Sequence, residues 1–261
     1  MAALLLVLIV PIILGTRYQK NNPCSLILII SALMITNTSY GSENRPMIYL
    51  IPGQGSDYRV FKNLELDSTY VFEHISYTIP GQNMTLPEYA RELSAQVDTT
   101  RPYVLIGVSL GGMIATEMSE FMCPEKTILI SSAKCWHELP KRYQFQRNIP
   151  IYKIVSGKTA KLGAQFLQPI VEPDRNKEKA LCKSMLKNKN PVFLKRSIKM
   201  ILEWERTDYP DDIIHIHGND DNTIPIRNVN YDYLVNEGSH MMVLTRGAEI
   251  SKIINDVLKD E

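Results

Sequence analysis

The chain has no surplus of charge of either sign: 29 Lys plus Arg stand against 28 Asp plus Glu, a formal net charge of +1. No general attraction to nucleic acid is therefore expected. Cysteine is also scarce. The four cysteines, Cys24, Cys123, Cys135 and Cys182, show no metal-ligand spacing and are too few for a disulfide framework. Cys123, Cys135 and Cys182 are expected to be unpaired small hydrophobes, with a Cys123 to Cys135 pair as the alternative. Internal repeats and low-complexity tracts are missing, which removes solenoids and linkers. No apolar run reaches the roughly 20 residues that a helix needs to cross a bilayer. Hydrophobic content of 44% and charged content of 22% are ordinary globular values, which argues against disorder and against a multi-span membrane protein. The 261 residues suffice for one core with a modest insertion.

The N-terminus holds two shorter apolar runs, Ala2 to Leu14 and Leu26 to Ile35, separated by a polar stretch containing Arg17 and Lys20. The second run has the anatomy of a secretory signal: a basic region, a short apolar region, and Ser39-Tyr40-Gly41 as a small-x-small cleavage site. Residues 1–41 are thus expected to be a leader, with a mature chain beginning near Ser42. Export to a periplasm or medium is the favoured expectation, a retained N-terminal membrane anchor comes next, and a cytoplasmic location is less favoured.

From Met47 onward, short apolar strands alternate with amphipathic helices, the pattern of a parallel sheet covered on both faces. Strands are predicted at Met47 to Ile51, Val71 to Tyr77, Tyr103 to Val108, Thr127 to Ala133, Ile213 to His217 and Tyr231 to Val235. Thr85 and Glu88 form a capping box that opens a helix running to about Val97. The helix after the third strand is predicted to bury Leu110, Met113, Ile114, Met118 and Phe121 and to turn Glu117 and Glu120 outward. Ile250, Ile253, Ile254, Val257 and Leu258 make the core stripe of a closing helix. About 75 residues between the fourth and fifth strands lack strand alternation and exceed the usual length of a connection. The expected architecture is an α/β core at 42–134 and 207–261, with a helical cap at 135–206 inserted between the fourth and fifth of about six mostly parallel strands.

Three segments carry chemistry. Gly107-Val108-Ser109-Leu110-Gly111 lies between a strand and a helix, where a tight, strained turn presents a nucleophilic serine and side chains in place of the glycines would collide with neighbouring backbone. Asp221 follows the fifth strand in His217-Gly218-Asn219-Asp220-Asp221. A carboxylate there points into the crevice above the sheet, and Asp220 is its rival. His240 follows the sixth strand in Gly238-Ser239-His240, third in the order Ser, Asp, His. His74, His137, His215 and His217 read as structural. An oxyanion hole needs two backbone N–H groups, for which Leu110, directly after the serine, and Gln54, in Pro52-Gly53-Gln54-Gly55, are the candidates.

These motifs, in this order, resemble the alpha/beta-hydrolase superfamily over roughly Met47 to Leu258, and most of all its compact, capped esterases of the carboxylesterase or acyl-carrier methyl-ester esterase kind. Three departures stand out: Ile51-Pro52-Gly53-Gln54 replaces the more usual His-Gly-x loop, Ser239 stands where Gly is frequent, and no antiparallel strands precede the sheet. None removes a catalytic group. The resemblance implies an acyl-enzyme on Ser109, with His240 as base and Asp221 orienting it, and neither metal nor organic cofactor. A serine nucleophile argues against the dehalogenase and epoxide-hydrolase branches, which use Asp there. The expected substrate is a small acyl ester or thioester. Lactone hydrolysis or acyl transfer on the same residues, and a non-catalytic ligand-binding member of the fold, are the alternatives. Because the base must be neutral, activity is expected to rise with pH through about 6.5 to 7.

The near-neutral total hides a basic segment, since Cys135 to Arg206 holds 16 Lys plus Arg against 6 Asp plus Glu. Solvated helix faces account for this, and a surface that attracts anionic substrates or membrane headgroups is the sharper alternative. Tyr143, Phe145, Phe166, Phe193 and Trp204 are candidates for an acyl pocket, or equally for the cap's own core.

Overall fold

The computed structural model describes residues 45–148 and 178–259. The expected leader at 1–41, Cys24, and Phe166 with the middle of the expected cap lie outside the described residues. No helix among the described residues is long and apolar enough to cross a membrane.

Six strands, β1 (Met47–Ile51), β2 (Val71–His74), β3 (Tyr103–Val108), β4 (Lys126–Ile130), β5 (Ile213–Gly218) and β6 (Tyr233–Val235), form one sheet in the order β2-β1-β3-β4-β5-β6. Every neighbouring pair is parallel. The period-two alternation of a strand divides the core between the two faces. Met47, Tyr49, Ile51 and Leu105 join one buried cluster, while Ile48, Leu50, Val104, Ile106 and Val108 join the other.

The first cluster is covered by α1 (Leu86–Leu93) and α2 (Leu110–Ser119), the second by α6 (Met242–Thr245) and α7 (Gly247–Lys259). α1 opens on the capping box, with the Thr85 hydroxyl accepting from the Glu88 amide and the Glu88 carboxylate accepting from the Thr85 amide. It closes after Leu93 into a 3-10 turn at Ser94–Gln96, short of the expected end at Val97. Between β4 and β5 lie α3 (Lys141–Asn148), α4 (Lys179–Asn188) and α5 (Pro191–Leu202). The Asn190 side chain caps α5, and Pro191 takes its first turn, where no N–H is missed.

Some expected boundaries move for local reasons. β2 ends at His74 rather than Tyr77, because it is an edge strand that pairs only with β1, itself finished at Ile51. β4 stops at Ile130 because Ser131 takes φ 49°, a left-handed backbone that no strand continues through. Glu117 faces the protein rather than solvent, which corrects the expectation from helical periodicity. Its carboxylate, 3% exposed, accepts from Trp204 Nε1 at 2.6 Å and from Arg206 Nε at 2.8 Å. The residues that follow α5 cover this side of α2, so the helix has two buried faces. Cys123 is disulfide-bonded, while Cys135 and Cys182 are buried thiols outside any disulfide. The expectation of an unpaired Cys123 is thereby corrected, and so is the Cys123 to Cys135 alternative.

Strand order decides where a site can form. The chain passes from β1 outward to β2, then returns to the other side of β1 with β3. The loops leaving β1 and β3 therefore diverge at their carboxyl ends and open a crevice between them.

Candidate active site

Ser109 stands at that crevice, between β3 and α2. It has φ 54° and ψ −120°, a conformation that a residue with a Cβ adopts only under strain. The flanking glycines are required by contact: a Cβ on Gly107 would lie 2.3 Å from the Gly111 carbonyl oxygen, and one on Gly111 would lie 2.0 Å from that of Ile51. Neighbouring strands hold the turn, since the Ser109 amide donates to the Ile130 carbonyl at 3.1 Å and the Ser132 hydroxyl to the Ser109 carbonyl at 2.7 Å.

The segments after β5 and β6 are joined to each other. The Asp220 amide donates to the Gly238 carbonyl at 3.0 Å, and the Glu237 amide to the Asn219 side-chain oxygen at 2.6 Å. This places Asp221 and His240 side by side. His240 Nδ1 lies 2.8 Å from Asp221 Oδ2, and His240 Nε2 lies 2.9 Å from Ser109 Oγ. The other carboxylate oxygen, Asp221 Oδ1, accepts from the amides of Thr223 and Ile224, each at 2.8 Å. Asp221 and His240 are buried, whereas Ser109 is partly exposed. Asp220 is exposed, and its carboxylate takes no part in the contact with His240. Burial works to raise the pKa of Asp221, but His240, His217 and the Ile224 amide outweigh it and hold the carboxyl below the ordinary value.

The loop after β1 runs against the serine. A Cβ on Gly53 would meet Ser109 Cβ at 3.4 Å, so the backbone before Gln54 passes beside the nucleophile position. The Gln54 side chain turns the other way, donating to Ser197 Oγ at 2.8 Å and to the Leu194 carbonyl at 3.3 Å on α5. Tyr77 Oη donates to the Pro52 carbonyl. Leu110 is the first residue of α2, buried beneath the serine. α3 stands over the acid loop, with the Arg142 guanidinium donating to the carbonyls of Asn222 and Thr223.

Of the aromatic candidates, Trp204 is core, buried with its indole N–H on Glu117. Phe193 is buried as well, stacked on Tyr77 at 5.2 Å between ring centroids. Tyr143 is half-buried, its hydroxyl pushed to a higher pKa by burial and by the Asp221 charge, with Arg142 opposing. Phe145 is exposed.

His215 and His217, which the sequence reads as structural, lie directly behind the site together with Ser132. The signal was present. His215 and His217 are two apart on a strand and so share a face, and His217 precedes Asp221 by four residues.

No family profile matches the chain, and no curated protein matches it in sequence. Solved structures do match in shape. A thermophilic esterase from Thermogutta terrifontis aligns at 14% identity over 83% of this chain and 90% of its own, with a TM-score of 0.59. An esterase from Exiguobacterium antarcticum aligns at 14% identity over 83% and 93%, with a TM-score of 0.58. A bromoperoxidase from Bacillus anthracis aligns at 14% identity over 83% and 92%, with a TM-score of 0.60. Likeness in shape at identities this low shows the fold alone, and that fold is the one of the alpha/beta-hydrolases.

Proposed function

We propose that this chain, an alpha/beta-hydrolase by fold, is a serine hydrolase that cleaves a carboxylic ester or thioester through an acyl-enzyme on Ser109. One observation carries the reading: the unbroken contact from Ser109 Oγ to His240 Nε2 at 2.9 Å and from His240 Nδ1 to Asp221 Oδ2 at 2.8 Å. A hydroxyl is a weak nucleophile until a base takes its proton as it attacks, and His240 is within reach to do so. Asp221 accepts a hydrogen bond from the Nδ1 N–H, which fixes the tautomer with a bare Nε2 toward the serine and stabilises the imidazolium once it forms. The strained turn at Ser109 suits the same task, because it lifts the hydroxyl clear of the sheet.

Attack on an acyl carbonyl gives a tetrahedral oxyanion, for which the backbone N–H groups of Leu110 and Gln54 are the proposed donors. Collapse expels the alcohol or thiol, protonated by His240. Water, deprotonated by the same ring, then releases the acid and restores Ser109. Esterases among the structural neighbours support an ester as substrate. Acyl specificity is proposed to reside in the residues between β4 and β5, of which Tyr143 stands next to Asp221.

A fluorophosphonate probe tests the reading. Covalent labelling at Ser109, lost in Ser109→Ala along with hydrolysis of nitrophenyl esters, is the expected result. Ester turnover is expected to fall by at least about 10³-fold. Folded protein that neither labels nor hydrolyses any member of an acyl-length series would sink it.

A further inference from the structure

Behind Asp221 lies a row of buried polar groups that the hydrolytic cycle leaves unused. His215 Nδ1 is 3.1 Å from the Asn230 carbonyl, His215 Nε2 is 3.1 Å from His217 Nδ1, and His217 Nε2 is 2.8 Å from the Ile224 carbonyl. Both rings are fully buried. A carbonyl oxygen only accepts, so each end of the row calls for an N–H, and the contact between the rings calls for a third. Two neutral imidazoles bring only two protons. With two, either the facing ring nitrogens or a nitrogen and a carbonyl oxygen oppose lone pairs, where solvent does not reach to separate them.

The position of the extra proton follows from the neighbours. The Ser132 amide donates to His215 Nε2 at 3.3 Å, so that nitrogen needs a lone pair and His215 is neutral, protonated at Nδ1. His217 then donates from both nitrogens, to His215 and to the Ile224 carbonyl. Charge favours the same choice, since the Asp221 carboxylate faces His217 at 3.6 Å while Lys134 acts on His215. We propose that His217 is a buried imidazolium in the resting protein, a second cation beside Asp221 that serves as a positioning residue for the acid and, on the serine-hydrolase reading, for His240.

Burial opposes this and, with the facing His240, holds the His217 pKa below its ordinary value, against the upward pull of Asp221 and the Ile224 carbonyl. Lys134 and Asp232, an ion pair at 3.7 Å, flank His215, whose backbone amide donates to Asp232. Glu138 receives the Lys134 and Asn230 amides on the same side, and Tyr143 faces Asp221 from α3. The geometry decides in favour of the proton, because a neutral His217 leaves one of the three contacts repulsive.

Two consequences follow for the site. Asp221 Oδ2 lies between two imidazoles, so its loop is held from behind as well as from the front. A fixed positive charge at His217 also disfavours a second one on His240, keeping the base neutral to lower pH. The row further joins the two halves of the site, since Ser132 reaches the Ser109 carbonyl with its hydroxyl and His215 with its amide.

Nitrogen-15 NMR of the whole chain with labelled histidine side chains tests the proton directly. At pH 8, one of the five histidines should show both ring nitrogens protonated, and that signal should be absent from His217→Gln. A spectrum with five neutral rings, or a doubly protonated ring that persists in the variant, overturns the proposal. The wild-type spectrum alone decides the first point even where the variant fails to fold. In kinetics, His217→Gln should move the acid limb of kcat/KM upward by about one pH unit. A lower rate with an unmoved limb would reduce His217 to a packing role and overturn its effect on the base. If wild-type protein hydrolyses no ester yet shows the imidazolium, the hydrolase reading fails while the proton assignment stands.

Discussion

Ser109 holds a backbone conformation that costs about 1 to 3 kcal/mol outside glycine, and such strain persists only where the surroundings impose it. One restraint is the Ser132 hydroxyl on the Ser109 carbonyl at 2.7 Å, within a turn whose glycines admit no side chain. Ser132→Ala is expected to lower stability by about 1 kcal/mol, as the loss of one buried hydrogen bond does. It should slow fluorophosphonate labelling by about tenfold, because the serine is then less firmly aimed. Urea melts and labelling time courses, run on the same preparation, separate the two effects. Labelling at the wild-type rate would show that the glycine turn alone holds the nucleophile.

At the level of elements, α2 links the nucleophile to the segment between β4 and β5. Its N-terminus begins at Leu110, and its Glu117 is gripped by Trp204 and Arg206 just beyond α5. The same segment reaches the β1 loop through the Gln54 amide on Ser197 and Leu194. Helical contacts therefore bear on both loops that flank Ser109. Removing Glu117 leaves the buried Trp204 indole N–H without its acceptor, while Arg206 keeps Glu120 at 2.7 Å. Glu117→Ala is thus expected to cost about 1 to 3 kcal/mol, read from denaturant midpoints. An unchanged midpoint in Glu117→Ala would mean that the pair contributes nothing net.

For the molecule as a whole, the site and its stability share one carboxylate. The Asp221 pKa is lower in the folded chain than its ordinary 3.8, so the folded state favours the ionised form. Its contribution to stability is complete above the unfolded value and is lost as pH falls through 3.8 and then through the lower folded value. Asp221→Asn should therefore weaken the dependence of stability on pH in that acid range, and on the hydrolase reading it should cut turnover by about 10⁴-fold. Acid titrations of unfolding for the two chains make the comparison, and parallel curves would deny Asp221 its lowered pKa. Much of this was legible in the sequence. Strand periodicity, the capping box at Thr85, and the glycines around Ser109 are local signals, each imposed by sterics or hydrogen bonding within a few residues, and together they indicated a parallel α/β sheet and the order Ser109, Asp221, His240. Contact across the chain was not legible. Only the folded sheet put Asp221 rather than its neighbour Asp220 against His240, turned Glu117 inward beneath Trp204, and lined up His215 and His217 behind the acid. Those outcomes depend on which surfaces meet once β5 lies beside β4 and β6 beside β5, and a one-residue change of direction in a loop, invisible to composition and periodicity, exchanges a buried carboxylate for a solvated one.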